Sequence, residues 1–239
     1  MKIAVISSYA YVVSNVNYGA LLQYYALQEY LKERGHDPYW IRYVIRLSLK
    51  QNLKKIVKSV IFCRAEHKKK IQLQSFLDFA ARYLALSDKT YVGEAAINSD
   101  PPAADYYITG SDQVWAGSLP ANFLTFVGDD TRKIAYAVSF GKDELSAEHA
   151  DTIRPWVGKF DKISVREKSG VDICYNLCRK SAVHVPDPTL LIDKEKYPAA
   201  DVGQADYIFC YFINLNIGNS VRLDDLIGYA QSVDKELFI

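Results

Sequence analysis

Five short polar segments carry residue types that recognise or transform a small polar ligand. Asn17-Tyr18-Gly19-Ala20 stands at the entry to a helix, where unpaired backbone N–H groups and the helix dipole favour an anion or a hydroxyl-rich ligand. Gly19 lets backbone approach a ligand closely, and Asn17 serves either as the helix cap or as a partner for a substrate hydroxyl. Gly110-Ser111-Asp112-Gln113-Val114-Trp115 offers hydroxyl, carboxylate and amide groups suited to a polyol. Trp115 is either a flat apolar face for a sugar ring or a core residue behind a capped helix start. Ser139-Phe140-Gly141, Ser164-Val165-Arg166-Glu167 and His184-Val185-Pro186-Asp187-Pro188-Thr189 complete the set. Arg166 has the geometry for bidentate binding of a phosphate or carboxylate, or pairs with its neighbour Glu167. Asp187, fixed between two prolines, is an Asx-turn residue or a ligand contact. His184 is the one histidine of four placed to act as a general acid or base.

Several familiar chemistries lack their signature. There is no G-x-G-x-x-G spacing for a dinucleotide, no G-x-S-x-G elbow for a hydrolase and no H-E-x-x-H for a metal. Cysteines 63, 174, 178 and 210 form no C-x-x-C pair and read as free core thiols. No metal or cofactor is expected.

The five segments matter because of the elements that precede them. Ile3 to Ile6 is an apolar strand, followed by a polar loop and a helix whose Ala20, Tyr24, Leu27 and Leu31 fall at helical spacing. Gly35 ends that helix, Pro38 blocks its continuation, and Tyr39 to Val44 reads as the next strand. Leu47 to Leu84 reads as two helices, and a polar loop with Asn98, Ser99, Pro101 and Pro102 leads to the buried strand Tyr106 to Ile108. Strands at Ile134–Ser139, Lys162–Val165 and Ala182–Val185 alternate with helices at Leu145–Val157 and Lys168–Leu177. The alternation predicts an α/β fold, a doubly wound, Rossmann-like parallel sheet, with every polar segment at the carboxyl edge of a strand. Residues 1–193 form this domain, 194–206 have linker composition, and 207–239 read as strand, helix and the start of a second strand. That last unit cannot cover both faces of its own sheet, so a second Rossmann-like domain is expected to be truncated here.

With 239 residues, 49% hydrophobic, and 29 Lys plus Arg against 28 Asp plus Glu, the composition is that of a folded globular chain rather than a disordered or fibrous one. A net charge of +1 gives no global attraction for nucleic acid, and none is expected as a partner. No apolar run reads as a signal peptide or membrane span, which predicts a cytoplasmic protein. Between residues 42 and 70, ten basic residues face the single acid Glu66. Arg46, Lys50, Lys54 and Lys58 recur every four positions opposite Leu53, Val57, Val60 and Ile61. That stripe is a solvated helix face, or a peripheral contact with the inner face of an anionic membrane.

Asn17 to Leu27 ahead of Gly35, Thr109 to Trp115, Ile134 to Gly141, Ile163 to Glu167 and Pro186 to Leu191, in this order, resemble the polysaccharide pyruvyl transferase family. The resemblance runs from residue 1 to about 193 and more loosely to the end. It implies two Rossmann-type domains facing a cleft, in a GT-B-like arrangement. It also implies transfer of a pyruvyl group from phosphoenolpyruvate onto a sugar hydroxyl of a surface or capsular polysaccharide, as a ketal. On that basis Asn17, Tyr18, Gly19, Gly110, Ser111, Asp112 and Gln113 become contacts for a sugar or lipid-linked oligosaccharide acceptor, and Arg166 an anion ligand. The family's Ser-Phe-His-Gly type motif, with its proposed catalytic histidine, does not occur in the sequence. The chain is therefore expected to supply the acceptor side and to be inactive alone, with an exposed face that favours homo-oligomers. Two other readings stand beside this one: a non-catalytic glycan- or partner-binding remnant, and a GT-B glycosyltransferase using a nucleotide sugar.

Overall fold

The computed structural model describes residues 1–7, 17–46, 63–198, 206–210 and 223–238, with residues 63–72 described by backbone alone. The chain divides into two compact units, Met1–Lys196 and Tyr197–Ile239.

The first unit is built on seven strands in the order β3-β2-β1-β4-β5-β6-β7. They are β1 (Lys2–Ile6), β2 (Asp37–Val44), β3 (Leu86–Val92), β4 (Tyr106–Thr109), β5 (Arg132–Val138), β6 (Lys162–Val165) and β7 (Ala182–His184). Every neighbouring pair is parallel. Helices α1 (Tyr18–Glu33), α2 (Cys63–Tyr83), α3 (Glu94–Ser99), α4 (Ala147–Val157) and α5 (Lys168–Cys178) connect them. This is the expected Rossmann-like α/β fold. In the central strand β1, Ile3 to Ile6 are all buried, the continuous apolar run of a strand covered on both faces. Its register sets Ile3 between Pro38 and Tyr106, and Val5 between Trp40 and Ile108.

Local chemistry explains the element ends. Asn17 caps α1 with its side-chain oxygen 3.1 Å from the Ala20 N–H. At the other end Gly35 takes a φ of 76°, open to glycine at no cost, and its N–H bonds the Lys32 carbonyl at 2.9 Å. Ser146 caps α4, which therefore starts at Ala147 rather than Leu145. Pro38 does not precede the second strand but is its second residue, near the strand start where a missing N–H is tolerated.

One stretch departs from the sequence reading. The polar stretch ahead of β4 is not simply a loop: it contains strand β3 and helix α3, which includes Asn98 and Ser99. β3 is an edge strand of which only Ser87 and Tyr91 are buried, so its sequence carries little apolar signal. Glu94 at the start of α3 accepts from the Tyr43 hydroxyl at 2.7 Å and the Ala121 N–H at 3.2 Å, which anchors the helix to β2. Of the two helices read over Leu47–Leu84, the described residues show one, α2; residues 47–62 lie outside them. Lys50, Lys54 and Lys58, with Leu53, Val57, Val60 and Ile61, lie outside the described residues, as does most of the polar loop after β1. No helix among the described residues is long and apolar enough to cross a membrane.

Cys174 is fully buried, and burial pushes its thiol up to about 12, so it is an inert core group. Helix α5 packs tightly on β6 at Gly170. A Cβ there would lie 2.9 Å from the Val165 Cβ and 3.2 Å from both of its methyl carbons. Gly170→Ala is expected to destabilise by about 1–3 kcal/mol despite alanine's better helix propensity. Adding Val165→Ala should return part of that loss in a double-mutant cycle read by urea unfolding; strict additivity would exclude the clash.

In the second unit, β8 (Tyr207–Phe209) pairs in parallel with β9 (Glu236–Phe238), and α6 (Leu223–Ser232) lies between them in sequence. Of the strand read as Tyr207–Phe212, Tyr207–Phe209 is strand, Cys210 is not, and residues 211 and 212 lie outside the described residues. Phe209, Tyr229 and Phe238 are exposed.

Candidate functional site

Strand order reverses between β1 and β4, the switch point where open α/β sheets place ligands beyond the strand ends. Ser7, Gly110, Ser139, Arg166 and Asp187 all follow parallel strands and so meet one edge. A cleft of about 270 Å³ opens there, lined by Asn17, Gly19, Ala20, Gln23, Asp112, Arg166, Asp187 and Thr189. Four of the eight residues expected to contact substrate, Asn17, Gly19, Asp112 and Arg166, thus share one hollow.

Asn17 has its carbonyl oxygen committed to capping, which leaves its amide NH₂ as the group it can offer a ligand. Gly19 places first-turn backbone at the mouth of α1. Asp112 uses Oδ1 to accept the Gln113 N–H at 2.8 Å, and no described residue bonds its Oδ2. Arg166 donates through Nε to Glu167 and through Nη1 to Asp187, each at 3.2 Å. The pairing with Glu167 read as an alternative is therefore present. Burial works to lower the Arg166 pKa, but the bonds to Glu167 and Asp187 outweigh it and raise the value further.

The other four expected residues are placed elsewhere. Gly110 and Ser111 lie behind the cleft wall. A side chain at Gly110 would meet the Ser7 Cβ at 3.3 Å, and its N–H bonds the Ile6 carbonyl at 2.7 Å. Ser111 is fully buried and donates to Asp187 Oδ2 at 2.8 Å. Tyr18 packs its ring against Phe76 at 4.6 Å, and Gln113 is exposed beside Gly141; neither lines the cleft. Trp115 is not a sugar platform: it is fully buried, stacked on Phe123 at 5.2 Å, and turns rather than a helix follow Asp112. His184 is exposed, with Nε2 3.1 Å from the Arg166 carbonyl oxygen, and is not among the lining residues.

Asp187 holds the site together. Its Oδ2 accepts from Ser111 and Arg166, and its Oδ1 from the Thr189 N–H at 3.0 Å and hydroxyl at 2.9 Å. Burial alone would raise its pKa. The Thr189 N–H, the Ser111 and Thr189 hydroxyls and the Arg166 guanidinium together bring it below the ordinary 3.8. The Asx turn read from the two prolines is present, and the same carboxylate also buttresses Arg166.

Gln23 was not read as a site residue. It is 3% exposed, and its amide nitrogen donates to the Ser7 hydroxyl at 2.6 Å and the Ala20 carbonyl at 3.0 Å. It ties the end of β1 to the start of α1. Its signal is present in the sequence: α1 is apolar almost all round, so a glutamine in it has no solvent face to occupy.

The family model described as polysaccharide pyruvyl transferase matches residues 17–233, most of the chain and all of the cleft-lining residues. No curated protein matches the chain significantly. With its parallel Rossmann-like sheet and this match, the chain belongs to the polysaccharide pyruvyl transferase family.

Proposed function

We propose that the cleft is the acceptor side of a pyruvyl transferase, receiving a sugar of a surface or capsular polysaccharide whose hydroxyl takes a pyruvyl group from phosphoenolpyruvate. The observation that carries this reading is the charge of the lining. Among the described lining residues one arginine faces two aspartates, a net negative set, and the arginine is already shared with Asp187 and Glu167. A donor bearing both a phosphate and a carboxylate would be repelled, whereas a neutral polyol finds an amide, backbone N–H groups and a carboxylate oxygen. In this reading the donor's anionic groups are met outside the cleft, in a GT-B-like arrangement, and the chain alone binds acceptor without completing transfer.

Saturation-transfer NMR of the purified chain with methyl glycosides of galactose, glucose and mannose tests this, together with a phosphate-release assay containing phosphoenolpyruvate. The expected result is saturation transfer to at least one neutral glycoside, unaffected by phosphoenolpyruvate, and no phosphate release above background. Phosphate release that depends on the glycoside would overturn the division of labour. Phosphoenolpyruvate binding abolished by Arg166→Ala would make the cleft a donor site instead.

A further inference from the structure

We infer that Asp112 is the specificity-determining carboxylate of the cleft: its Oδ2 accepts the hydrogen bond of one sugar hydroxyl, and the backbone is held in a left-handed conformation to aim it. This rests on the acceptor reading proposed above.

The described lining residues include two carboxylates, and their bonding separates their roles. Asp187 accepts four hydrogen bonds from Ser111, Arg166 and Thr189, so both of its oxygens are occupied and it has little left for a ligand. Asp112 accepts one, from the Gln113 N–H through Oδ1, and no described residue bonds Oδ2. No histidine is among the described lining residues. Among the described lining residues, a hydroxyl entering the hollow therefore finds one ionisable acceptor oxygen that is not already taken.

The backbone supplies a second, independent observation. Asp112 has a φ of 83°, a region that side-chain-bearing residues rarely adopt and that costs of order 1 kcal/mol or more. The conformation is imposed from outside. The Asp112 carbonyl accepts from the Val114 N–H at 2.7 Å and the Ser139 N–H at 3.1 Å, and the residue forms an isolated parallel bridge to Val138. Ala137, next to that bridge, is also left-handed, with a φ of 51°, where the pairing of β5 with β6 shifts register. Glycine would fill such a position without strain, so an aspartate there points to use of its side chain.

The test compares the wild type with Asp112→Gly and Asp112→Asn, using methyl galactopyranoside, glucopyranoside and mannopyranoside and their 3-, 4- and 6-deoxy analogues, titrated by NMR, with Tm measured in parallel. In the wild type, removing one particular hydroxyl is expected to weaken binding about tenfold, the loss that follows when a charged acceptor goes unpaired. In Asp112→Gly the parent and that deoxy analogue should bind equally, and Tm should be unchanged or higher by up to about 4 °C. Asp112→Asn, which keeps the size and tolerates the left-handed region, should shrink the tenfold difference without lowering Tm. A deoxy penalty that survives in both variants would overturn the assignment and leave the acceptor reading standing. A marked fall in Tm for Asp112→Gly with the penalty intact in Asp112→Asn would make Asp112 a structural residue. Failure of the wild type to bind any parent glycoside would remove the acceptor reading, and this inference with it.

Discussion

Trp115→Ala is expected to destabilise the first unit by about 3–5 kcal/mol, the usual result of emptying a fully buried indole site. The ring is fully buried and stacks on Phe123, with ring centroids 5.2 Å apart and planes 11° from parallel. Phe140 and Phe160 pack against it at 5.3 Å and 5.2 Å. Its indole N–H donates to the Asn122 carbonyl at 3.2 Å, while the Asn122 amide donates to the Val114 carbonyl at 3.0 Å. Truncation therefore opens a cavity lined by three aromatic rings and loosens the turn that follows Asp112. Urea unfolding should show a lower midpoint with an unchanged slope, because the surface exposed on unfolding barely differs. Trp115→Phe should lose less, since it keeps much of the ring packing and gives up the indole N–H bond and the outer part of the bicyclic ring. A loss below about 1 kcal/mol for the alanine variant, combined with weakened glycoside binding, would instead support the sugar-stacking role that the buried position argues against.

Trp115 also shows where the sequence is informative and where it stops. The strand ends were readable because a parallel sheet buried on both faces needs nearly continuous apolar runs, as in Ile3–Ile6 and Tyr107–Thr109. Once those ends were placed, the shared edge followed from topology alone, and Asn17, Asp112 and Arg166 converge on it. Edge strand β3 was not readable, because Ser, Asp, Lys and Thr on a half-solvated strand look like a loop. The depth of a residue within a polar segment was equally hidden. Ser111 and Asp112 are neighbours, yet one is buried against Asp187 and the other lines the cleft, a difference set by partners far away in sequence. Gln23 escapes for the same reason: its role is defined by its contact to Ser7 at the end of β1, not by local pattern. Arg166 was placed correctly at the edge, but its charge is shared with two carboxylates that only the fold brings into reach together.

Removal of the Asp187 carboxylate should have the largest effect of any cleft substitution, about 2–4 kcal/mol of stability for Asp187→Ala, because it strands several groups at once. Ser111, fully buried, would lose the Asp187 acceptor of its hydroxyl, and Thr189 would lose its two bonds to the Asp187 carboxylate. Of its two described ion pairs, Arg166 would keep the one with Glu167. Asp187→Asn, which preserves shape, separates charge from packing and should cost roughly half as much. The pH dependence then identifies the cause. The folded-state pKa of Asp187 lies below the ordinary 3.8 that the unfolded chain would show. Its contribution is therefore fully present above that ordinary value. It is lost as pH falls toward and through the folded-state pKa, because over that interval the unfolded state binds the proton that the native carboxylate refuses. The stability gap between wild type and Asp187→Asn should thus be constant from about pH 7 to pH 5 and narrow below about pH 4. A gap that is unchanged down to pH 2.5 or so would show that the loss comes from packing, and that the carboxylate does not hold Arg166 and Ser111 by its charge.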